Sequence, residues 1–145
     1  MIRTLLLALM CCAASPALAL KCLSPDVARD VRAAAEGESS WLAVNGMLET
    51  GPVPRHGGEV PARIWGWALG EEGFTRPFDS RITLRSVCFG PWCGKAASGK
   101  LAALLKREGD RYVLITDPCG ANLWPEPRKR QIETLRRACL KAGCN

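Results

Sequence analysis

The chain has 145 residues, 48% of them hydrophobic and 23% charged, with a formal net charge of +6 at neutral pH. No apolar run in it reaches the roughly 20 residues that a bilayer-spanning helix needs. Length and balance together exclude a multi-span membrane protein and leave room for one soluble domain.

The first element reads as an export signal over residues 1–19. Arg3 supplies a positive start, Leu5 to Ala14 an apolar run of ten, and Ser15-Pro16 a break before Ala17-Leu18-Ala19, an A-x-A cleavage site. Cys11 and Cys12 lack the small preceding residue of a lipoprotein site and are expected to leave with the signal. The remaining domain, 20–145, is expected in the periplasm or outside the cell, with no transmembrane anchor.

Six cysteines remain after cleavage: Cys22, Cys88, Cys93, Cys119, Cys139 and Cys144. An even number of thiols in a short exported chain is most simply read as three disulfides. Their pairing is open among fifteen alternatives. The preferred scheme ties Cys22 to the strand region, makes Cys88–Cys93 or Cys93–Cys119 a bridge within it, and anchors the last helix through Cys139 or Cys144.

Downstream of Cys22, a helix over about 25–36 is expected, with Ser24 as N-cap, Pro25 at its first position and Gly37 at its end. Val27, Val31 and Ala34 recur at helical spacing. In WLAVNGMLET the period changes to that of a strand, with Trp41, Ala43 and Met47 on one face. Turn residues 51–58 lead to a second strand, VPARIWGWALG. There Ile64 and Gly66 point one way, Trp65 and Trp67 are read as splitting the faces, and Gly66 marks a bulge or close approach. RITLRSVCF alternates, with Ile82, Leu84 and Ser86 on one side and Thr83, Arg85 and Val87 on the other. LAALLKRE and RYVLIT flank Gly109-Asp110, a compact hairpin signal. A final helix over about 127–142 carries the apolar stripe Ile132, Leu135, Ala138, Cys139 and Ala142. Five strands over about 39–118, bracketed by two helices, give a mostly β fold class: a small disulfide-stabilised barrel of OB type.

The segment CGKAASGKLAALLKREGDRYVLITDPCG, Cys93 to Gly120, with the basic cysteine-bearing helix behind it, resembles the netrin-like module of tissue inhibitors of metalloproteinases. VRAAAEGESSWLAVNGMLETG is similar to the helix and first strand of bacterial secreted proteins of this type. The resemblance implies an OB-type barrel. In the tissue inhibitors the first cysteine is the mature N-terminus and chelates the target's zinc. Here Leu20 and Lys21 precede Cys22, so that chelation is not expected.

Catalytic signatures are missing. Gly94 to Lys100 matches the start of a P-loop, but Leu101 stands where the magnesium-binding hydroxyl belongs and a strand follows. Neither Cys88–Cys93 nor Cys139–Cys144 has C-x-x-C redox spacing, and with His56 the only histidine no zinc set or Ser-His-Asp group assembles. Glu71 and Glu72 are neighbours in a turn and diverge. No enzyme, cofactor or metal is expected.

Charge is concentrated late. Lys129, Arg130, Arg136, Arg137 and Lys141 fall opposite the apolar stripe of the last helix and form a candidate surface for an anionic partner. Trp65, Trp67 and Trp92 form a second candidate, although tryptophans beside glycine commonly belong to the core of a small barrel. Export argues against nucleic acid as the ligand. The leading expectation is a monomeric, non-catalytic binding module that contacts a protein or an anionic polymer. The alternatives are an inhibitor or accessory subunit of an envelope or extracellular enzyme, and a small secreted enzyme of unrecognised type.

Overall fold

A computed structural model describes residues 21–144, so the export-signal reading lies outside the described residues. The fold is mostly β, with helices α1 (Val27–Ala35) and α2 (Lys129–Ala142) at either end of the strands. The long strands are β1 (Trp41–Thr50), β2 (Gly58–Gly70), β3 (Gly73–Ser86), β6 (Gly99–Glu108) and β7 (Arg111–Thr116). Three short strands, β4 (Cys88–Phe89), β5 (Trp92–Cys93) and β8 (Leu123–Pro125), were not anticipated.

Antiparallel ladders join β1 to β2, β2 to β3, β7 to β6 and β6 to β1, and a parallel ladder joins β3 to β7. The pairings therefore return to the strand they start from. Strand β8 adds to the first half of β6, on Leu101–Ala103.

Two apolar clusters lie on opposite faces of this sheet. Leu42, Val44, Leu48, Ile64, Ile82, Leu84, Leu105 and Leu114 build the first. The second joins Ala43, Leu69, Ala102, Leu104 and Trp124 to Val27 and Val31 of α1 and Leu135 and Cys139 of α2. Strands β1 and β6 are thus covered on both sides over part of their length, and Leu101 to Leu105 is buried without interruption. Continuous burial of this kind erases the period-2 signal.

That cover explains one correction. Leu42, Val44 and Leu48 carry the first cluster, while Met47, expected in the core with Trp41 and Ala43, is 39% exposed because the helices do not reach it. Strand β3 extends well ahead of the expected RITLRSVCF, through Pro77, and pairs with β2 around the two-residue turn Glu71-Glu72. Ile82, Leu84 and Ser86 are buried as anticipated. The β6–β7 hairpin turns at Gly109-Asp110, with Gly109 at φ 60°.

The first helix begins later than Ser24 and Pro25 indicate. Asp26 is its N-cap and accepts a 3.0 Å hydrogen bond from the Arg29 N–H, which holds the Asp26 carboxyl below its ordinary range. The helix ends at Glu36, whose N–H donates to the Arg32 carbonyl.

The cysteines pair as Cys22–Cys119, Cys88–Cys93 and Cys139–Cys144. The first ties the segment ahead of α1 to the loop after β7, and the second closes the β4–β5 hairpin. The third corrects the expected anchoring of α2 to another element, because it bridges the helix end to itself. There Gly143 takes a left-handed conformation at φ 78°, its N–H and that of Cys144 both reach the Cys139 carbonyl, and Cys144 folds back into the helix-covered core.

Gly46 and Gly66 face each other across β1 and β2. A methyl group on Gly46 would overlap the Trp65 carbonyl, and one on Gly66 would overlap Asn45 and Gly46. The expected close approach at Gly66 is thus a two-glycine contact.

Two stability measurements check this frame. Loop-closure entropy makes the 97-residue Cys22–Cys119 bridge worth about 4–5 kcal/mol, against about 2 kcal/mol for each five-residue bridge. In urea unfolding, the paired replacement C22S/C119S should therefore cost more than C88S/C93S or C139S/C144S, and the reverse order would contradict it. Gly46→Ala should cost about 2 kcal/mol or more through overpacking, whereas Gly51→Ala, with open space around it, should be near neutral.

Candidate binding surface

The sequence-derived candidates separate into three places. Trp65 and Trp67 lie two residues apart on β2 and share one face, as strand geometry requires, so they do not split the faces. Cross-strand register sets Met47 and Asp79 on either side of Trp65, and Asn45 and Pro77 on either side of Trp67. Trp67 is 49% exposed, which corrects the expectation of a core tryptophan. A shallow depression of about 500 Å³ is lined by Trp65, Gly66, Trp67, Pro77, Phe78 and Asp79.

This face is held by a relay of contacts. The Arg63 guanidinium lies 5.5 Å from the centre of the Trp65 ring, within cation–π range. It also donates two hydrogen bonds, of 2.8 and 2.6 Å, to the Asp79 carboxylate. Those bonds hold the Asp79 carboxyl below its ordinary range and raise Arg63. The Trp65 ring is therefore held on one side by Arg63. Asn45, the cross-strand partner of Trp67, has a buried side-chain oxygen with no donor among the described residues.

Trp92 stands apart, at the tip of the β4–β5 hairpin with Phe89; the two are 50% and 46% exposed. With Val53, Pro54, Arg55, Lys95 and Pro118 it lines a cleft of about 920 Å³ beside the Cys22–Cys119 bridge. The acid of this cleft, Asp117, is occupied internally, its Oδ1 accepting the N–H groups of Cys119 and Ala121 at 2.9 and 3.1 Å. The P-loop-like run forms the cleft's edge and enters β6. Gly94 packs on the Thr116 carbonyl, and Ser98 is bonded to the backbone of Thr50.

The basic helix face is smaller than expected. Lys129, Arg130, Arg137 and Lys141 are exposed, but Arg136 is half-buried against Gly73 and donates 2.9 and 2.8 Å hydrogen bonds to Glu133. Glu133 also reaches Arg137 at 3.5 Å, and the bonds from Arg136 hold its carboxyl below the usual range. Two of the five expected cations are thereby matched within the helix.

A further charged group is saturated by its own members. Arg85 donates to Glu108 at 2.8 and 2.9 Å and to Glu59 at 2.7 Å, with Arg111 and Lys106 at its margin. These contacts raise Arg85 and lower Glu108 to about 2. Among the described residues, no group of three or more His, Cys, Asp or Glu is placed to hold a metal ion, and no helix is long and apolar enough to cross a membrane. His56 lies exposed in the β1–β2 loop.

Register was the signal that could have assembled the tryptophan face from sequence. Once Trp65 and Trp67 share a face, pairing adds Met47, Asn45, Pro77 and Asp79. Compared with family models, with characterised proteins and with solved structures, the chain matches none.

Glu108 gives a pH signature. Its carboxyl titrates lower in the folded chain than its ordinary value of 4.5, so its contribution is present above about 4.5 and is lost as pH falls towards about 2. Glu108→Gln should therefore unfold with a shallower pH dependence between those values than the unsubstituted protein. Parallel curves over that window would refute the assignment.

Proposed function

We propose that this protein is an exported, non-catalytic binding module of OB type that docks a protein partner on the exposed face of β1, β2 and β3. Support for the fold comes from the ladder circuit β1-β2-β3-β7-β6-β1, the order that closes a five-stranded barrel with one parallel pair. Export rests on the signal reading of residues 1–19. The three disulfides suggest an oxidising, extracytoplasmic compartment.

One observation carries the docking reading: Trp67, 49% exposed, stands on a strand beside exposed Met47 and beside a Trp65 ring fixed by Arg63 and Asp79. Large aromatic side chains on a rigid element lose little entropy on binding and are enriched among the residues that dominate interface energetics. The face's Arg63–Asp79 charges are matched to each other, which favours a protein over an anionic polymer.

A second reading, an inhibitor or accessory subunit of an envelope or extracellular enzyme, is favoured by the disulfide-pinned hairpin that presents Phe89 and Trp92. Immobilised protein should retain its envelope partner at high salt, since apolar docking is not screened. Trp67→Ala should weaken capture at least about tenfold while leaving thermal stability nearly unchanged. Loss of the partner with Trp92→Ala and retention with Trp67→Ala would transfer the function to the hairpin. Release by salt alone would transfer it to Lys129, Arg130 and Lys141.

A further inference from the structure

A small cavity of about 220 Å³ opens where β1 and β7 begin and β6 ends, separate from the disulfide-lined cleft and sharing only Phe78 with the depression at Trp65 and Trp67. Its walls are Ser40, Trp41, Leu42, Arg76, Phe78, Arg107 and Tyr112, with no carboxylate among them. The backbone fixes their arrangement. The Arg107 N–H donates to the Ser40 carbonyl at 2.8 Å, Arg107 and Tyr112 are cross-strand partners, and the Tyr112 ring meets Phe78 edge-on at 5.4 Å.

Neither Arg76 nor Arg107 takes part in an ion pair among the described residues, whereas Arg63, Arg85 and Arg111 of the strands do. The Arg107 Nε donates at 3.3 Å to the Gly109 carbonyl, which orients the side chain and leaves its terminal nitrogens available. The cavity thus carries two arginines without an ion-pair partner among the described residues and has an apolar floor of Leu42 and Phe78.

We propose that this cavity binds a small organic oxyanion, its carboxylate or phosphate head between Arg76 and Arg107 and its apolar body against Leu42, Phe78 and Tyr112. A guanidinium presents a planar fork of donors that matches the oxygens of such a head. The volume lies below the roughly 300–1,000 Å³ of drug-sized sites and limits the ligand to about one ring or a short chain. Phe78 lines both this cavity and the depression at Trp65 and Trp67, but Arg76, Arg107 and Tyr112 belong to this cavity alone, so substitution of either arginine tests it separately from the Trp67 surface.

The chain's single tyrosine is Tyr112, so protein made with isotope-labelled tyrosine gives one ring signal that reports on the cavity. Benzoate and phenyl phosphate are the oxyanion probes; benzyl alcohol and inorganic phosphate are the comparisons. At low salt, at least one oxyanion probe should shift the signal saturably, with a Kd of about 1 mM or tighter, and benzyl alcohol should not. Arg76→Ala and Arg107→Ala should each weaken that binding about tenfold or more without changing the fold seen by circular dichroism, and Arg107→Lys should recover part of it. No saturable shift with either probe, an equal response to benzyl alcohol, or unchanged affinity in both alanine variants would overturn the proposal. Inorganic phosphate binding as tightly as phenyl phosphate would overturn the organic ligand.

Discussion

The contact between β1 and β6 joins the circuit of ladders and lines both apolar clusters. Eight consecutive residue pairs, from Trp41 with Lys106 to Leu48 with Gly99, return the chain of ladders to its first strand. The same two strands separate the two apolar clusters, with Val44, Leu48 and Leu105 on one side and Ala43, Ala102 and Leu104 on the other. Lining both clusters requires a nearly uninterrupted apolar sequence, which is what Leu101-Ala102-Ala103-Leu104-Leu105 provides. On the helix side Ala43 and Ala102 pack with Leu104 and Trp41, while Leu42, Val44, Leu48, Leu101, Ala103 and Leu105 fill the opposite side.

Strands with clear ends were legible in the sequence. β7 runs from Arg111 to Thr116 because a two-residue turn precedes it and an Asp-Pro follows. β1 was equally well bounded, but its faces were not, because helices cover only its first half and periodicity cannot say where that cover stops. β3 hid its first half behind Pro77 and a run of charges, whose side chains face solvent. β8 is three residues long and exists only because β6 leaves an edge unpaired where β7 departs.

Of the candidate surface, residue types could be read but not their company. Spacing alone places Trp65 and Trp67 together, yet Met47, Asn45 and Pro77 join them only through strand register, a long-range property. The five late cations were visible as a set. Their partial neutralisation by Glu133 was also within reach, since three- and four-residue spacings on a helix bring side chains together. Arg76 lies on β3 and Arg107 on β6, with β4 and β5 between them in the chain, and no local pattern connects them.

Covalent restraint is distributed unevenly along the sheet. Cys22–Cys119 and Cys88–Cys93 both act where β3 and β7 finish, and Cys139–Cys144 spans only the end of α2. The opposite end, with Ser40, Arg107 and Tyr112, is closed by hydrogen bonds and packing alone. Loosening of the sheet there would break no covalent bond, only hydrogen bonds such as that from the Arg107 N–H to the Ser40 carbonyl. Amide hydrogen exchange should accordingly run faster around Ser40 and Arg107 than at Ser86 and Thr116, which lie beside the two bridges.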